Sequence, residues 1–223
     1  MSPPIKGEVE CSLTYVHFSN RIRSALELVL ATRNKKKIEE IARITSGMPV
    51  SVLTLDDFPL CPEIEEDGAT FEENAVKKAL AVAKYTGKPS LADDSGLEVY
   101  ALHGAPGTLS ARYSGESADD RRNVEKLLFE MRLLKEEERK AQFVCYIALA
   151  LNEASVITFH GHVEGTIGTE PKGFNGFGYD PVFYPEGYDR TFAEMGAEEK
   201  DNISHRGKAL RDFQRFLRER IDL

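Results

Sequence analysis

The sequence has few of the features that mark secreted, membrane-spanning or disulfide-bonded proteins. It contains only three cysteines (Cys11, Cys61 and Cys145), an odd number without the spacing of a metal site. No apolar run approaches the length that crosses a membrane, and the first 25 residues lack the basic start and apolar core of a secretory signal. We therefore expect a cytoplasmic protein with no disulfide framework and no membrane partner.

Positive charge is also in short supply. Lysine and arginine total 29 against 37 acidic residues, a formal net charge of −8. A general nucleic-acid binder would usually have a basic face, so we expect no nucleic-acid partner. A local basic pocket or a metal ion could still hold a small anionic substrate.

Several catalytic signatures are missing as well. There is no Walker A pattern, no dinucleotide fingerprint and no serine or cysteine nucleophile triad, and the five histidines lack zinc spacing. What remains is a chain of 223 residues with 41% apolar and 30% charged residues, which is typical of a soluble globular protein.

The hydrophobic pattern predicts an α/β protein with a mixed β-sheet flanked by helices. Strands are predicted at 26–31, 50–55, around 90–99, 141–151 and 155–165, the last two antiparallel because their connection is short. Helices are predicted at 35–47, 70–87, 117–134 and 205–221. Residues 1–25 show no clear period and are treated as an N-terminal extension.

Local signals refine these boundaries. Thr70 and Glu73 have the spacing of a capping box, and Gly87 should end that helix. Ser117 and Ser204 are the predicted caps of the next two helices, and Gly96 predicts a turn or bulge. The predicted inner face of the first helix comprises Ile38, Ile41, Ala42 and Thr45.

Two adjacent acids, Asp93 and Asp94, interrupt an apolar run in "SLADDSGLEVYAL". Burying ionised carboxylates is costly without partners, and successive strand residues point to opposite faces. One aspartate could hold Mg²⁺ and orient a water while the other secures the turn. A second metal ligand could come from the acids at 63, 65, 66 and 67; Glu73 is a rival, although its capping position already explains it.

Two groups of cations stand at the unfavourable end of a predicted helix. Lys35, Lys36 and Lys37 begin the first helix, where free N–H groups suit phosphate, and His205 and Arg206 begin the last. An anionic ligand would explain both groups. Alternatively, the lysines form a solvated basic face, and the second group pairs with the acids of "GAEEKD" upstream.

Together these stretches resemble the inosine triphosphate pyrophosphatase family. The matching segments follow the family's order from about residue 27 to the end: "LVLATRNKKKIEEI", "GATFEENAVKKA", "LADDSGLEV", "GAPGTLSARYSGE", "GFGYDPVF" and "FAEMGAEEKDNISHRGKAL". The resemblance implies an elongated two-lobed fold with a central cleft, formed by residues 26–223 as one domain. It also implies a homodimer and Mg²⁺-dependent hydrolysis of deaminated purine nucleoside triphosphates to a monophosphate and pyrophosphate.

The resemblance also assigns roles to individual residues. Asp94 matches the carboxylate that activates water and meets the metal, and Glu63 matches the second metal ligand. The substrate-binding positions, with the phosphate-binding loop first, are Thr32, Arg33, Asn34, Lys35, Lys36, Lys37, Lys78, Ser95, Phe177, Gly178, Tyr179, Asp180, Lys200, His205 and Arg206.

The chain departs from the family's pattern in two places. Residues 1–25 have no counterpart, and Lys36 stands where many members have glycine. The competing function is a nucleotide-binding regulator without turnover. The Asp93–Asp94 pair favours the enzyme, because a pure binder needs no carboxylate that activates water.

Overall fold

A computed structural model describes residues 26–115 and 119–220, and these form a six-stranded mixed sheet between helices. The strands are β1 Leu26–Leu30, β2 Val50–Leu53, β3 Ser90–Val99, β4 Lys140–Asn152, β5 Ser155–Ile167 and β6 Phe183–Pro185. Their order across the sheet is β2-β1-β3-β4-β5-β6. β1 runs parallel to β2 and β3, whereas the remaining neighbours are antiparallel, as expected for β4 and β5.

Helices cover both faces of this sheet. They are α1 Lys35–Ile44, α2 Phe71–Thr86, α3 Asp120–Glu130, α4 Ala197–Ile203 and α5 His205–Arg220. On one face the small residues Ala75 and Ala79 of α2 pack with Ala148 of β4. On the other face Leu210 and Phe213 of α5 share a core with Ile41 of α1. The predicted α/β class is therefore confirmed.

A third hydrophobic cluster lies at the other end of the long strands. α3 contributes Val124 and Leu127, which share this core with Phe143 of β4 and Phe183 of β6. β4 takes part in all three clusters, because its residues from Cys145 onward pack between α2 and α5. The α3 cluster at one end of the long strands and the α2 and α5 clusters at the other fit a two-lobed shape. That residues 26–223 form a single domain stays a prediction.

Helix ends follow the expected chemistry, with two changes. Thr70 caps α2 by accepting from the backbone N–H of Glu73, but the Glu73 carboxylate accepts from the N–H of Ala69 and not from that of Thr70, so the predicted reciprocal capping box is only half formed. Gly87 ends α2 in the left-handed conformation. Ser204 accepts from the N–H of Gly207 at the start of α5. The cap of α3 is Asp119, two positions after the predicted Ser117, and Ser117 lies outside the described residues.

Two local predictions are wrong. Gly96 neither turns nor bulges: β3 pairs without interruption with β4 from Ser90 to Val99. The glycine is needed for close packing, since an added Cβ would stand 2.4 Å from Ser110 Oγ. On α1, Ala42 is exposed, and the inner face instead buries Glu40 beside Ile41.

Among the described residues, no helix is both long and apolar enough to cross a membrane.

Candidate active site

The candidate cleft lies where successive strands change from one side of β1 to the other. After β1, α1 leads to β2 on one side of β1, and α2 then leads across to β3 on the other side. β3 pairs with β1 only at Ser90 and Leu91, so its following residues extend beyond the carboxyl end of β1. Such switch points are the usual ligand sites of open α/β sheets. The cleft here encloses about 420 Å³, enough for a small organic ligand.

Asp93 lies on one face of β3 and is fully enclosed by donors. Its carboxylate forms ion pairs with Lys37 and with Arg206 (2.9 Å from Nε), and the thiol of Cys145 donates to it over 3.1 Å. Burial alone would raise the pKa of Asp93, but the charges of Arg206 and Lys37 outweigh it and hold this pKa well below its usual range. Asp93 is thus a permanent anion that fixes two cations.

Asp94 lies on the opposite face, toward the cleft, and is much less satisfied. Its Oδ1 accepts from Lys78 Nζ over 3.1 Å, whereas the buried Oδ2 has no hydrogen-bond partner in the described part of the chain. Burial raises the pKa of Asp94, and the nearby Lys78 only partly offsets this effect. The two aspartates therefore point to opposite faces, as expected, and only Asp94 lines the cleft; the roles expected of them stay predictions.

Lys78, on α2, connects Asp94 to the loop before that helix. Its ammonium group donates to Glu66 over 2.6 Å and to the carbonyl of Asp93 over 2.8 Å. Burial would lower the pKa of Lys78, but Asp94 and Glu66 raise it above its ordinary value. The lysine is consequently a fixed positive charge on this wall of the cleft.

The turn between β1 and α1 forms the adjoining wall, with a difference from expectation. Asn34 caps α1 by accepting from the N–H groups of Lys36 (3.0 Å) and Lys37 (3.3 Å), so these two groups are not free for phosphate. Thr32 accepts from the N–H of Asn34, and Arg33 donates to the carbonyl of Cys61. Of the predicted loop, Thr32, Arg33, Asn34 and Lys37 line the cleft, whereas Lys35 and Lys36 do not.

Behind the cleft, a buried chain of alternating charges continues from Asp93. Arg206 binds Asp93 and also Glu40, and Glu40 in turn accepts from Lys200 over 3.0 Å. Lys200 also donates to Asp180 over 2.6 Å. With Lys37 at the other end, the chain has three cations and three anions and is electrically neutral, which makes its burial affordable.

The pairing of Arg206 answers one alternative left open by the sequence. Arg206 bonds none of the acids of "GAEEKD", because its partners are Asp93, Glu40 and the hydroxyl of Ser95 at 2.8 Å. Of those acids, Asp201 pairs with Arg43 and Glu199 pairs with Arg190. The first turn of α5 therefore points into the sheet and the cleft.

An aromatic ring covers the cationic end of the cleft. The Phe177 ring centre lies 5.1 Å from Lys200 Nζ and 5.5 Å from Arg206 Cζ. The N–H of Phe177 donates to Asp180, and Gly178 follows with φ of 61°, a conformation that favours glycine. Tyr179 also borders the cleft, but its hydroxyl donates to the carbonyl of Ser110 and is not available to a ligand.

His205 is buried, and its ring stacks on Phe143 with 4.7 Å between the ring centres. Burial, reinforced by Arg206 and Lys200, holds the pKa of His205 well below its usual range, so the ring is neutral. Its Nδ1 has no partner among the described residues. His205 therefore offers an unused polar atom beside the cleft.

The acids on the Asp94 side suit a hard divalent cation, although the described residues contain no group of three acidic, histidine or cysteine side chains placed to hold a metal. Glu63 and Glu66 line the cleft with Asp94, and the unpartnered Asp94 Oδ2 is a ready ligand. Mg²⁺ usually takes one or two carboxylates and completes its shell with water and substrate phosphates. The site therefore fits Mg²⁺. Glu73, the rival ligand, does not line the cleft, and its Oε2 accepts from the N–H of Ala69.

The site residues that were not predicted from the sequence include Glu40 and Cys145, which contact the buried charges, and Asp120, which lines the cleft from the start of α3. Glu40 follows Lys37 by three positions and so shares its helix face, which is a weak sequence signal for a role near Lys37. Glu39 is the same residue type one position earlier, so the sequence does not show which of the two glutamates is buried.

Comparison with known proteins supports a single family. A sequence model of the Ham1 family matches residues 28–216. A dITP/XTP pyrophosphatase of Geobacter sulfurreducens is 54% identical over 82% of this chain and 92% of its own, and that of Thermus thermophilus is 54% identical over 83% and 89%. The structure of a HAM1 protein from Coxiella burnetii matches with a TM-score of 0.81 and 44% identity, covering 87% of this chain and 99% of that one.

Proposed function

The chain belongs to the Ham1 family, and from that premise we propose that it hydrolyses deaminated purine nucleoside triphosphates (ITP, dITP and XTP) to the monophosphate and pyrophosphate. The reaction removes these nucleotides from the precursor pool. The observation that carries the proposal is Asp94, a buried carboxylate with one unpartnered oxygen, in a cleft lined by cations at the switch point of the sheet.

Asp94 is the proposed catalytic residue. A water attacking a phosphoanhydride needs a nearby base to take its proton, and the unpartnered Oδ2 provides one. Mg²⁺ would be held by Asp94 with Glu66 or Glu63, and when bound it neutralises charge on the triphosphate. Lys78, fixed by Asp94 and Glu66, adds a permanent positive charge where the phosphates would lie.

The triphosphate would lie along the turn between β1 and α1. Thr32, Arg33, Asn34 and Lys37 line that wall. Lys37 is already paired with Asp93, so it serves as a positioned charge whose place is set before the ligand arrives. Lys35 is exposed and outside the cleft and would contribute only through its long-range field.

The purine base would stack on Phe177, next to Lys200 and Arg206. Arg206 donates through Nε to Asp93, through Nη1 to Glu40 and through Nη2 to Ser95, with a longer contact from Nη2 to Asp93. Within the described residues, one of its five N–H groups is therefore unassigned, on Nη1.

That remaining donor suits the 6-keto oxygen of inosine or xanthosine, whereas adenine would present its 6-amino donor to it. Asp180 could accept from the N1 proton of a keto purine, a proton that adenine lacks. A site that reads its substrate by hydrogen bonds can reject the wrong one by roughly 10⁴-fold. His205, neutral and with a free ring nitrogen, is the candidate for reading position 2 of the base.

A cytoplasmic, homodimeric enzyme completes the proposal. Analytical ultracentrifugation of the full chain tests the dimer, and a monomer at micromolar concentration would remove it.

The deciding experiment assays pyrophosphate release from ITP, dITP, XTP, ATP and GTP with Mg²⁺. We expect kcat/KM for ITP, dITP and XTP, which have a 6-keto group and no 2-amino group, to be at least a hundredfold higher than kcat/KM for ATP. Asp94→Asn keeps the size of the side chain but removes the base, and should lower kcat by several orders of magnitude. Asp56→Asn, at an exposed acid outside the cleft, is the matched control.

The competing role of a nucleotide-binding regulator predicts a different result. Such a protein would bind ITP with measurable affinity in calorimetry and release no pyrophosphate. Near-full activity in a folded Asp94→Asn protein would instead remove Asp94 from the catalytic role while leaving the activity itself in place.

A further inference from the structure

Lys36 does not itself line the cleft, but its side chain lies beside two residues that do. Its Nζ lies 3.5 Å from Asp120 Oδ2 and 5.7 Å from the ring centre of Phe177. Lys36 belongs to α1, whereas Asp120 begins α3 and itself lines the cleft. We call Lys36 and Asp120 the cleft-mouth pair.

The pair joins two regions that pack separately. α1 packs with α5 through Ile41, whereas α3 contributes Val124 and Leu127 to the cluster at the other end of the long strands. The contact therefore links opposite walls of the cleft at its opening.

The exposure of the pair determines how firmly it holds. Both side chains are 54% exposed, whereas Lys37 is 14% exposed and its partner Asp93 is fully buried. An exposed pair of this kind changes an equilibrium by only about two- to fivefold. A triphosphate, with its several negative charges, can therefore displace Asp120 from Lys36, but it cannot displace Asp93 from Lys37 at similar cost.

We propose that the cleft-mouth pair is a displaceable latch: Asp120 holds Lys36 across the opening, and the polyphosphate of the substrate takes Lys36 from it. Lys36 is thereby a substrate-binding residue, and Asp120 is its internal competitor. The inference rests on the proposed function for the identity of the ligand, but the competition itself requires only a polyphosphate.

A double-mutant cycle separates this latch from a general effect of charge. The four proteins are the wild type, Lys36→Gln, Asp120→Asn and the double variant. For each, KM and kcat are measured with ITP, and the dissociation constant of inorganic tripolyphosphate is measured by calorimetry at low salt, where exposed charges are least screened. Glu125→Gln removes one negative charge from an exposed position of α3 and is the matched control.

We expect Asp120→Asn to lower the KM for ITP and the dissociation constant of tripolyphosphate about two- to fivefold. Lys36→Gln should raise both of these constants. The double variant should match Lys36→Gln alone, because Asp120 acts only through Lys36. Glu125→Gln should leave both constants unchanged.

Three results would overturn the proposal. In the first, Asp120→Asn changes KM and the dissociation constant by the same factor in the wild type and in Lys36→Gln, which would show a general effect of charge. In the second, Asp120→Asn weakens binding of the polyphosphate. In the third, it changes neither constant. If no nucleotide is hydrolysed but tripolyphosphate follows the expected cycle, the latch stands and the proposed function fails. If ITP is hydrolysed and the cycle is flat, the function stands and the latch fails.

Discussion

Replacing Glu40 by glutamine tests the buried charge chain behind the cleft. Glu40 is 7% exposed and is the anion shared by Arg206 and Lys200. Glutamine keeps the length and one acceptor oxygen but removes the charge. The remaining chain of Lys37, Asp93, Arg206, Lys200 and Asp180 then has three cations and two anions, so one positive charge is buried without compensation.

Breaking a buried pair by removing one partner costs about 3–5 kcal/mol. The glutamine oxygen can still accept one hydrogen bond, so we expect the lower end, about 3 kcal/mol. In a domain of this size, each kcal/mol lowers Tm by about 2–4 °C, which gives a fall of about 6–12 °C. The assay is thermal unfolding followed by circular dichroism at pH 7, with urea unfolding to obtain the free energy.

The pH dependence gives a second measurement. Burial would raise the pKa of Glu40, but Arg206 and Lys200 outweigh it, so this pKa lies below its ordinary value. A lowered pKa in the folded state means that the ionised group stabilises the protein above the pKa of the unfolded chain, about 4.3, and that this stabilisation is lost as the pH falls through the folded value. The difference between wild type and Glu40→Gln should therefore be full at pH 7 and shrink below about pH 4.

Glu39→Gln is the control, because Glu39 is the same residue type, one position away and exposed. It should change the free energy of unfolding by no more than about 0.5 kcal/mol. The reasoning is refuted if the two variants melt within about 1 °C of each other at pH 7, or if the cost of Glu40→Gln grows as the pH is lowered.

Three further predictions concern the site and the extension. Arg206→Lys keeps a charge between Asp93 and Glu40 but loses the planar fork, so the kcat/KM ratio of ITP over ATP should fall at least tenfold, and Tm should also fall because the hydrogen bonds to Ser95 and to both carboxylates cannot all be kept; an equal loss of kcat/KM for both nucleotides would mean that Arg206 does not read the base. Lys37→Ala should weaken binding of the triphosphate more than that of the monophosphate product in calorimetry, and equal losses would move Lys37 away from the β- and γ-phosphates. Removing residues 1–25 should leave activity and the cooperative melt unchanged, because β1 begins at Leu26 and the family match begins at residue 28; a truncated protein that precipitates would show that the extension is part of the fold.

Much of this protein could be predicted from its sequence, because local patterns determine local structure. Alternating and helical hydrophobic periods predicted the α/β class and the four longer helices, and Thr70, Gly87 and Ser204 marked helix ends through their own backbone chemistry. The adjacent aspartates were expected to serve different roles on opposite faces of a strand, which is a property of the strand itself. The family resemblance, now confirmed, drew on the same short segments.

What the sequence could not decide was which polar groups meet. Glu39 and Glu40 are the same residue type on the same helix, and only the tertiary structure buries one of them between Arg206 of α5 and Lys200 of α4. Gly96 reads as a turn signal, yet its reason is the approach of Ser110, which lies fourteen positions away in the chain. From the sequence, the first N–H groups of α1 were expected to be free for phosphate, whereas in the structure the Asn34 side chain accepts from those of Lys36 and Lys37.

The substrate-binding role expected of Arg206 shows the same limit. Its position after Ser204 indicated a cation at a helix start, but the number of donors left for a ligand depends on Asp93 and Glu40, which lie more than a hundred residues away in the chain. The energy of a buried charge depends on every neighbour within a few ångströms, and for Arg206 the charged neighbours come from β3 and α1, with Lys200 of α4 sharing one of them. Hydrophobic periodicity is a property of one segment, whereas electrostatic pairing is a property of the assembled fold, and only the tertiary structure could decide it.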